Sequence, residues 1–514
     1  MMHMDVGMYM QRFKRLWIYV AYLVPFVLFT YVSYKKIGSF GCFDDCSNFV
    51  SAWFILKDRV LYEQIFFNHQ PLAAYVSAAV QALTHPESIY QLVLFHRVFV
   101  YLFSFIFGLL LLRRFRATAL VFLVLYEGTK FYFFGDRFLA EALIVYPLVY
   151  LLGTVFSGLR VKNTSLFDLI LCTFAVFFVF WMREPYVPLV LFLYVVYLVT
   201  LKTTMLRLVS LAGFVIPSLS MFLLFPFNDF YFNVVTVNRS FHLKDPLSSI
   251  GILNSFFYPV IVFFTGRMTS LHYFEMVLSV VFFILIFVTV MRKHAAVLLG
   301  IIFISLGLAN LRPTPPGVGF YEAFHMLSWY ALFLFCISYL LFNIHEKVQI
   351  FRGVIAVLFL SLLVFLGIPS SYLREKTDPQ QLFYEGYNQY YTAGEVVRRL
   401  STPQQTLFLD GWNDLIYWQA ERTSPYVYSW YTSVMSGFPR YSIARVDLLK
   451  NDPPDFFYGA CKEWPFSKVT KEFISQYDRF VFSNKPTCLY VLKKNSAQFT
   501  DEQLKSLADL GYSL

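Results

Sequence analysis

Asp44 and Asp45 stand side by side in Cys42-Phe43-Asp44-Asp45-Cys46, and Leu61-Tyr62 and Asn68-His69-Gln70-Pro71-Leu72 follow further along the same loop. Adjacent carboxylates suit general-base work, in which one takes the proton of an attacking hydroxyl while holding its oxygen in line with an electrophilic carbon. Such a reaction also needs positive charge where the leaving group gains negative charge. Candidates for that task are His69, Arg137 with Glu141 four residues on, Arg239 and His242 in Asn238-Arg239-Ser240-Phe241-His242, Arg312 before Pro313, and His325 after Phe324. Arginine suits phosphate because its planar fork bonds two oxygens at once. Each candidate has a plainer reading beside the chemical one. An aspartate here can cap the helical run at 47–56, and His69 can rest at an interface beside Phe66 and Phe67. Arg137 and Glu141 can form a helix-surface pair worth a few tenths of a kcal/mol, and an external arginine can snorkel to the lipid headgroups.

The elements that must position these residues are apolar. The 514-residue chain is 58% hydrophobic and only 14% charged, with 61 phenylalanines, which places it in the membrane class. Apolar runs occur at 16–34, 92–112, 117–134, 138–156, 166–181, 185–201, 208–225, 274–291, 295–308, 324–342 and 354–368, with a weaker run at 252–264. The first, preceded by Arg12, Lys14 and Arg15, reads as a retained helix rather than a cleaved signal. Basic groups at Arg113/Arg114/Arg116, Arg160/Lys162, Lys202/Arg207, Arg292/Lys293 and Lys347/Arg352 fall in alternate connections. By the positive-inside rule those connections and the N-terminus face the cytoplasm. The net charge of +10 is therefore topological and does not imply a nucleic-acid partner.

The long external connections collect every candidate residue. Residues 1–368 read as a transmembrane domain whose external loop, 35–91, carries the acidic pair, and residues 369–514 as an extracytoplasmic α/β domain. In that domain the pattern predicts helices at 391–400 and 501–510 and strands at 406–410, 480–483 and 489–493. Cys172 and Cys336 lie within apolar runs and read as packing. Cys42, Cys46, Cys461 and Cys488 are external, where disulfides persist. Cys42–Cys46 with Cys461–Cys488 is the simplest of the three connectivities, and a bridge from loop to tail is another. Of two glycosylation sequons, the one at Asn163 falls on the cytoplasmic side and the one at Asn238 outside. The acidic pair alone offers too few ligands for a metal site, so a divalent ion has no ligand cluster behind it. A phosphate-cradling glycine loop is also missing, which argues against a nucleotide-sugar donor.

The first external loop resembles that of the GT-C glycosyltransferases related to protein O-mannosyltransferases and aminoarabinose transferases. In that family an acidic pair follows the first membrane helix, and a Tyr then a His-Pro-Pro-Leu-like segment lead toward the second. Asp44-Asp45, Leu61-Tyr62 and His69-Gln70-Pro71-Leu72 stand at those places, with Gln70 where the family usually has proline. Two further segments, Asp410-Gly411-Trp412-Asn413-Asp414 and Asp452-Pro453-Pro454-Asp455, resemble stretches of GT-C C-terminal domains, and Arg312 with His325 resembles the segment bounding the lipid-phosphate pocket. The eleven apolar runs read as about eleven spans, and the resemblance implies a polytopic α-helical transferase with an odd span count and an external C-terminal domain. It would move a sugar with inversion from a polyprenyl-phosphate-linked donor to an acceptor hydroxyl on protein, glycan or lipid. Asp44 or Asp45 would be the base, and His69, Arg137, Glu141, Arg239, His242, Arg312 and His325 would contact phosphate or substrate. A flippase or transporter for lipid-linked sugar is the alternative, although such proteins place ionisable sites near the midplane. A non-catalytic scaffold is a third reading, which leaves the acidic pair unexplained.

Overall fold

The structure is a computed structural model that describes residues 4–34, 44–160, 165–242, 257, 259–261, 263–264, 270–291, 295–309, 323–344, 349–367, 379–412, 414–459 and 473–514. The chain forms two compact units. One comprises Met1–Ile37, His96–Ser220 and Asp245–Lys376, and the other Gly38–Phe95, Met221–Lys244 and Thr377–Leu514.

The first unit is built from apolar helices, and every one of the main apolar runs is helical. Its elements are α1 (Met4–Tyr34), the greater part of α4 (Ile89–Phe115), α5 (Ala117–Thr129), α6 (Ala140–Arg160), α7 (Leu166–Met182), α8 (Val187–Thr200), α9 (Thr204–Met221) and four later helices, Ser270–Val290, Ala295–Leu308, Leu327–Ile344 and Gln349–Gly367. Among the described residues five helical stretches are long and apolar enough to cross a bilayer: Ile89–Phe115, Ala140–Arg160, Thr204–Met221, Leu271–Val290 and Phe324–Phe342. Most of the weaker run at 252–264 lies outside the described residues. The helix Leu327–Ile344 is central, buried against α5 and α6, with Tyr330 donating to Thr129 Oγ1 at 2.9 Å. By contrast α9 shows Met205, Leu208, Ile216 and Leu219 at its surface, the composition of a lipid-facing helix.

Helix ends in this unit follow local rules. Ser165 and Asp168 form a capping box that starts α7, and the same Asp168 accepts from Tyr150 at 2.7 Å and meets Arg114 Nε at 2.9 Å. One aspartate therefore both caps a helix and ties α4, α6 and α7 together. The run expected to be helical through 134 breaks after Thr129 into a 3-10 turn, Lys130–Phe133, because Phe134 takes a left-handed φ of 56° before Gly135. The following helix begins at Ala140 rather than 138.

The second unit joins two helices of the connection between α1 and α4, α2 (Asp44–Ile55) and α3 (Leu72–Thr84), to the C-terminal residues. Its sheet contains β1 (Leu407–Asp410), β2 (Trp430–Tyr431), β3 (Phe456–Tyr458), β4 (Tyr477–Phe482), β5 (Lys485–Leu492) and β6 (Tyr512–Ser513), in the order β2-β1-β3-β5-β4-β6. β1 pairs in parallel with both β2 and β3, with Phe408 opposite Phe457, and the rest is antiparallel. The tight β4–β5 hairpin turns through Ser483 and Asn484, both at positive φ, as a two-residue turn of this hand requires. The three expected strands are β1, β4 and β5, each displaced by a few residues. The expected helix at 391–400 begins earlier, as Pro379–Leu400.

Candidate functional site

In the second unit the acidic pair opens α2, where the N-terminal dipole favours negative charge. The two carboxylates differ in surroundings. Asp45 is buried, whereas the Asp44 side chain is 33% exposed, with its Oδ2 3.6 Å from His69 Nε2. Ser47 Oγ donates to the Asp44 carbonyl at 2.8 Å, which fixes the turn from which both acids project.

His69 is held through its backbone. Tyr62, fully buried and at a left-handed φ of 69°, donates its hydroxyl to the His69 carbonyl at 2.7 Å. A tyrosine keeps that conformation only where packing enforces it, and Phe67, Phe225 and Phe230 surround its ring. The 227–242 segment clasps the same loop. Asn233 Nδ2 donates to the Tyr62 carbonyl at 3.3 Å, and Asn238 Nδ2 to the Asn68 carbonyl at 2.6 Å. Asn233 lies within a π-helix, Tyr231–Val237, a widened turn that occurs often at functional sites. Arg239, exposed, follows Asn238 directly and so belongs to this group. His242 ends the helix Asn238–His242, and its side chain lies outside the described residues.

The C-terminal residues hold the loop from its other side. Phe66 N donates to the Tyr428 carbonyl, Ser429 Oγ to the Gln64 carbonyl, and Trp418 Nε1 to Gln81 Oε1, at 3.0, 2.8 and 3.1 Å. Gln81 Nε2 in turn donates to the Phe49 carbonyl at 2.8 Å, so one amide links α2, α3 and the helix Leu415–Ala420. Asp414 heads that helix and is buried. Loss of hydration, with the nearby charge of Asp45 adding to it, pushes its carboxyl from 3.8 up to about 7, against the pull of its own N–H and that of Leu415. The folded state therefore keeps a proton that the unfolded chain gives up between those values. Stability from the neutral carboxyl is complete below the unfolded value and is lost as pH rises to about 7. Asp414→Asn is accordingly expected to raise the melting temperature more at about pH 8 than at about pH 5. Thermal unfolding of the purified full chain in detergent measures this, and a pH-independent gap between the two proteins would refute it.

In the first unit Arg137 is buried with its guanidinium 4.4 Å from the Phe134 ring centroid, in the turn before α6. Glu141, in the first turn of α6, meets Arg183 Nε at 3.0 Å. The helix starts after Arg137, so the four-residue spacing of Arg137 and Glu141 is not a helical one, and the glutamate turns to the end of α7. His325 is buried against Phe324, and its carbonyl accepts from Tyr186 at 3.0 Å. Arg312 lies outside the described residues. Lys130 meets Glu127 Oε2 at 2.7 Å and donates to Tyr146 and Ser104 at 3.1 and 3.2 Å, all of them buried. The sequence reading passed over Lys130 and Arg183, although charged residues inside or beside apolar runs were the signal. Asp414 was quoted within a motif and given no role; nothing in the sequence marks its burial.

Cys46 and Cys488 are each disulfide-bonded, while Cys42 and Cys461 lie outside the described residues. Cys172 and Cys336 are free and buried, as packing residues would be. No His, Cys, Asp and Glu grouping able to hold a metal occurs among the described residues.

The crystal structure of ArnT from Cupriavidus metallidurans in the apo state superposes with a TM-score of 0.53, at 12% identity, over 92% of this chain and 98% of ArnT. The form of that protein bound to undecaprenyl phosphate gives 0.55, at 11% identity, over 93% and 97%. The chain has the GT-C fold of ArnT. No protein-family model matches the sequence, and no curated protein matches it. The ArnT-like fold accounts for both parts of the architecture, the multi-pass helical unit and the small sheet domain at the C-terminus.

Proposed function

We propose that the protein is a membrane glycosyltransferase that moves a sugar from a polyprenyl-phosphate-linked donor to an extracytoplasmic acceptor hydroxyl, with inversion. The observation that carries this reading is the ArnT-like fold over more than nine-tenths of both chains, one ArnT structure being bound to undecaprenyl phosphate. The acidic pair in the first loop supports it from the side of chemistry.

In this mechanism Asp44 accepts the proton of the acceptor hydroxyl as its oxygen forms a bond to the anomeric carbon from the face opposite the phosphate. The bond from that carbon to the phosphate oxygen breaks, and its electron pair leaves on the polyprenyl phosphate. His69, beside Asp44, orients the carboxylate. Arg137, Glu141, Arg239, His242, Arg312 and His325 are the further candidates for contact with phosphate and sugar. Arginine is the side chain best suited to the growing charge on the phosphate. The chain termini are assigned by the charge bias of the connections, cytoplasmic for the first and extracytoplasmic for the last.

The test is sugar transfer from a panel of radiolabelled polyprenyl-phosphate sugars by the purified protein, with cell-envelope extract as acceptor, beside a variant carrying both Asp44→Asn and Asp45→Asn. Transfer by the wild type and its loss in the variant, with donor binding kept, is the expected result. Equal transfer by both would remove the base from this pair. Tight donor binding with no transfer under any condition would favour a flippase instead.

A further inference from the structure

A surface helix in water turns its apolar residues inward and its polar ones outward. In the second unit α3 does the reverse. Its sequence has no charged residue, and its polar side chains Ser77 and Gln81 are buried, with Gln81 tied to the Phe49 carbonyl. Leu72, Tyr75, Val76, Ala79, Ala82 and Leu83 face outward instead, and Leu83 is 83% exposed. The stretch that follows α9 continues this surface. Leu223 is 86% exposed, and Phe227, Tyr231 and Val235 are exposed at intervals of four, with the Phe227 and Tyr231 rings 6.3 Å apart. Tyr75 donates its hydroxyl to the Leu224 carbonyl at 3.4 Å, which joins the two stretches. Asp229 lies between them in sequence but turns to Arg440, and the first charge along the exposed row is Arg239, four residues beyond Val235.

What covers such a face follows from how the chain reaches it. Residues 85–88 join α3 to α4, and residues 222–226 join α9 to Phe227. Links of that length reach no more than about 20 Å. Both α4 and α9 are long and apolar enough to cross a bilayer, so each stretch is tethered within that reach of the hydrocarbon edge. A contiguous apolar surface is costly in water and marks a place of contact with a partner or a membrane. Here the tethers bring it to lipid, and tyrosines such as Tyr75 and Tyr231 suit the headgroup level, where one end of the ring is dry and the other wet.

We propose that α3 and residues 222–235 form a face that lies on the bilayer surface, with its apolar side chains at the boundary of headgroups and acyl chains. The partner is the lipid surface itself, held by apolar burial rather than by attraction to anionic headgroups. The inference does not depend on the transferase reading. The inner sides of the same two stretches carry the hydrogen bonds to the Phe49 and Asn68 carbonyls. Through them the loop with the acidic pair is anchored to the membrane surface.

The test places the full chain in phosphatidylcholine nanodiscs that contain a small share of phosphatidylcholine with a photoreactive group near the top of one acyl chain. Mass spectrometry then maps the labelled peptides. Label is expected in residues 72–84 and 222–235 as well as in α9, and its extent should not change between about 50 and 500 mM salt. Leu83→Glu with Leu223→Glu puts carboxylates at the two most exposed positions. It should cut the label in 72–84 and 222–235 about tenfold, the partition loss of one apolar side chain, and leave that in α9 within about twofold. Label in α9 with none in the two stretches would overturn the proposal. Label that falls with salt would replace apolar burial by attraction of charge. Label displaced by added undecaprenyl phosphate would make the face a groove for one lipid chain and not a seat on the bilayer. Label absent from the two stretches, with a photo-cross-link from them to a second chain in discs that hold two copies, would give the face to a dimer. If the double variant does not fold, the labelling pattern of the wild type decides.

Discussion

With Asp44 replaced by asparagine, the protein is expected to bind its donor as before and to lose turnover by about 10²–10⁴-fold, the range attributed to a positioned general base. The choice of Asp44 over its neighbour follows from their surroundings. A base must touch the incoming hydroxyl, and Asp44 is the carboxylate of the pair with a third of its side chain exposed. Asp45 is enclosed, and its charge acts on Asp414. Asp45→Asn should therefore lower turnover less, and should lower the Asp414 carboxyl only in part, since burial is the larger cause of its shift. Transfer rates and donor affinity for the two single variants distinguish the roles. An inactive Asp45→Asn beside an active Asp44→Asn would reverse the assignment.

The largest expected effect on stability belongs to Lys130. Its ammonium is 2% exposed, meets Glu127, donates to Tyr146 and Ser104, and lies 5.3 Å from the Tyr101 ring centroid. Lys130→Met keeps the side-chain length and removes the charge, leaving the Glu127 carboxylate buried without its cation. Breaking a buried pair in this one-sided way costs about 3–5 kcal/mol. Removing both charges, with Glu127→Leu and Lys130→Met together, leaves no buried ion and should restore most of that loss. Unfolding of the purified protein in detergent by heat or denaturant gives the comparison. A double variant no more stable than the single one would mean that the pair does not balance in the way described.

What the sequence made legible depended on pattern length. The main apolar runs became helices over most of their length because apolar residues dominate each, and the 117–134 run, which carries Glu127 and Lys130, is the one that breaks. The acidic pair was readable because two adjacent carboxylates stand out between two apolar runs. Short elements were not readable. β2 has two residues and β3 three, too few for any alternation to show, and the helix Leu415–Ala420 is recognisable only from its burial. Side-chain partners were legible least of all. The spacing of Arg137 and Glu141 suggested a pair within one helix, but the helix begins between them, and Glu141 meets Arg183, which lies forty-two residues away in sequence. Similarly, Asp414 reads as one polar residue in a loop, and only its burial in the fold shows that its carboxyl is pushed up to about 7.

The unit that carries the acidic pair is assembled from three stretches of chain, and hydrogen bonds across it join residues 337 and 365 positions apart, as in Trp418 with Gln81 and Ser429 with Gln64. Contacts so distant form late. During synthesis, Asp44 and Asp45 emerge first, and the residues that clamp their loop emerge last. A growing chain therefore holds its acidic pair without these hydrogen bonds until residues 418 and 429 have been made. On the proposed reading, the candidate base becomes a positioned group only after residues 418–429 have been added to the chain.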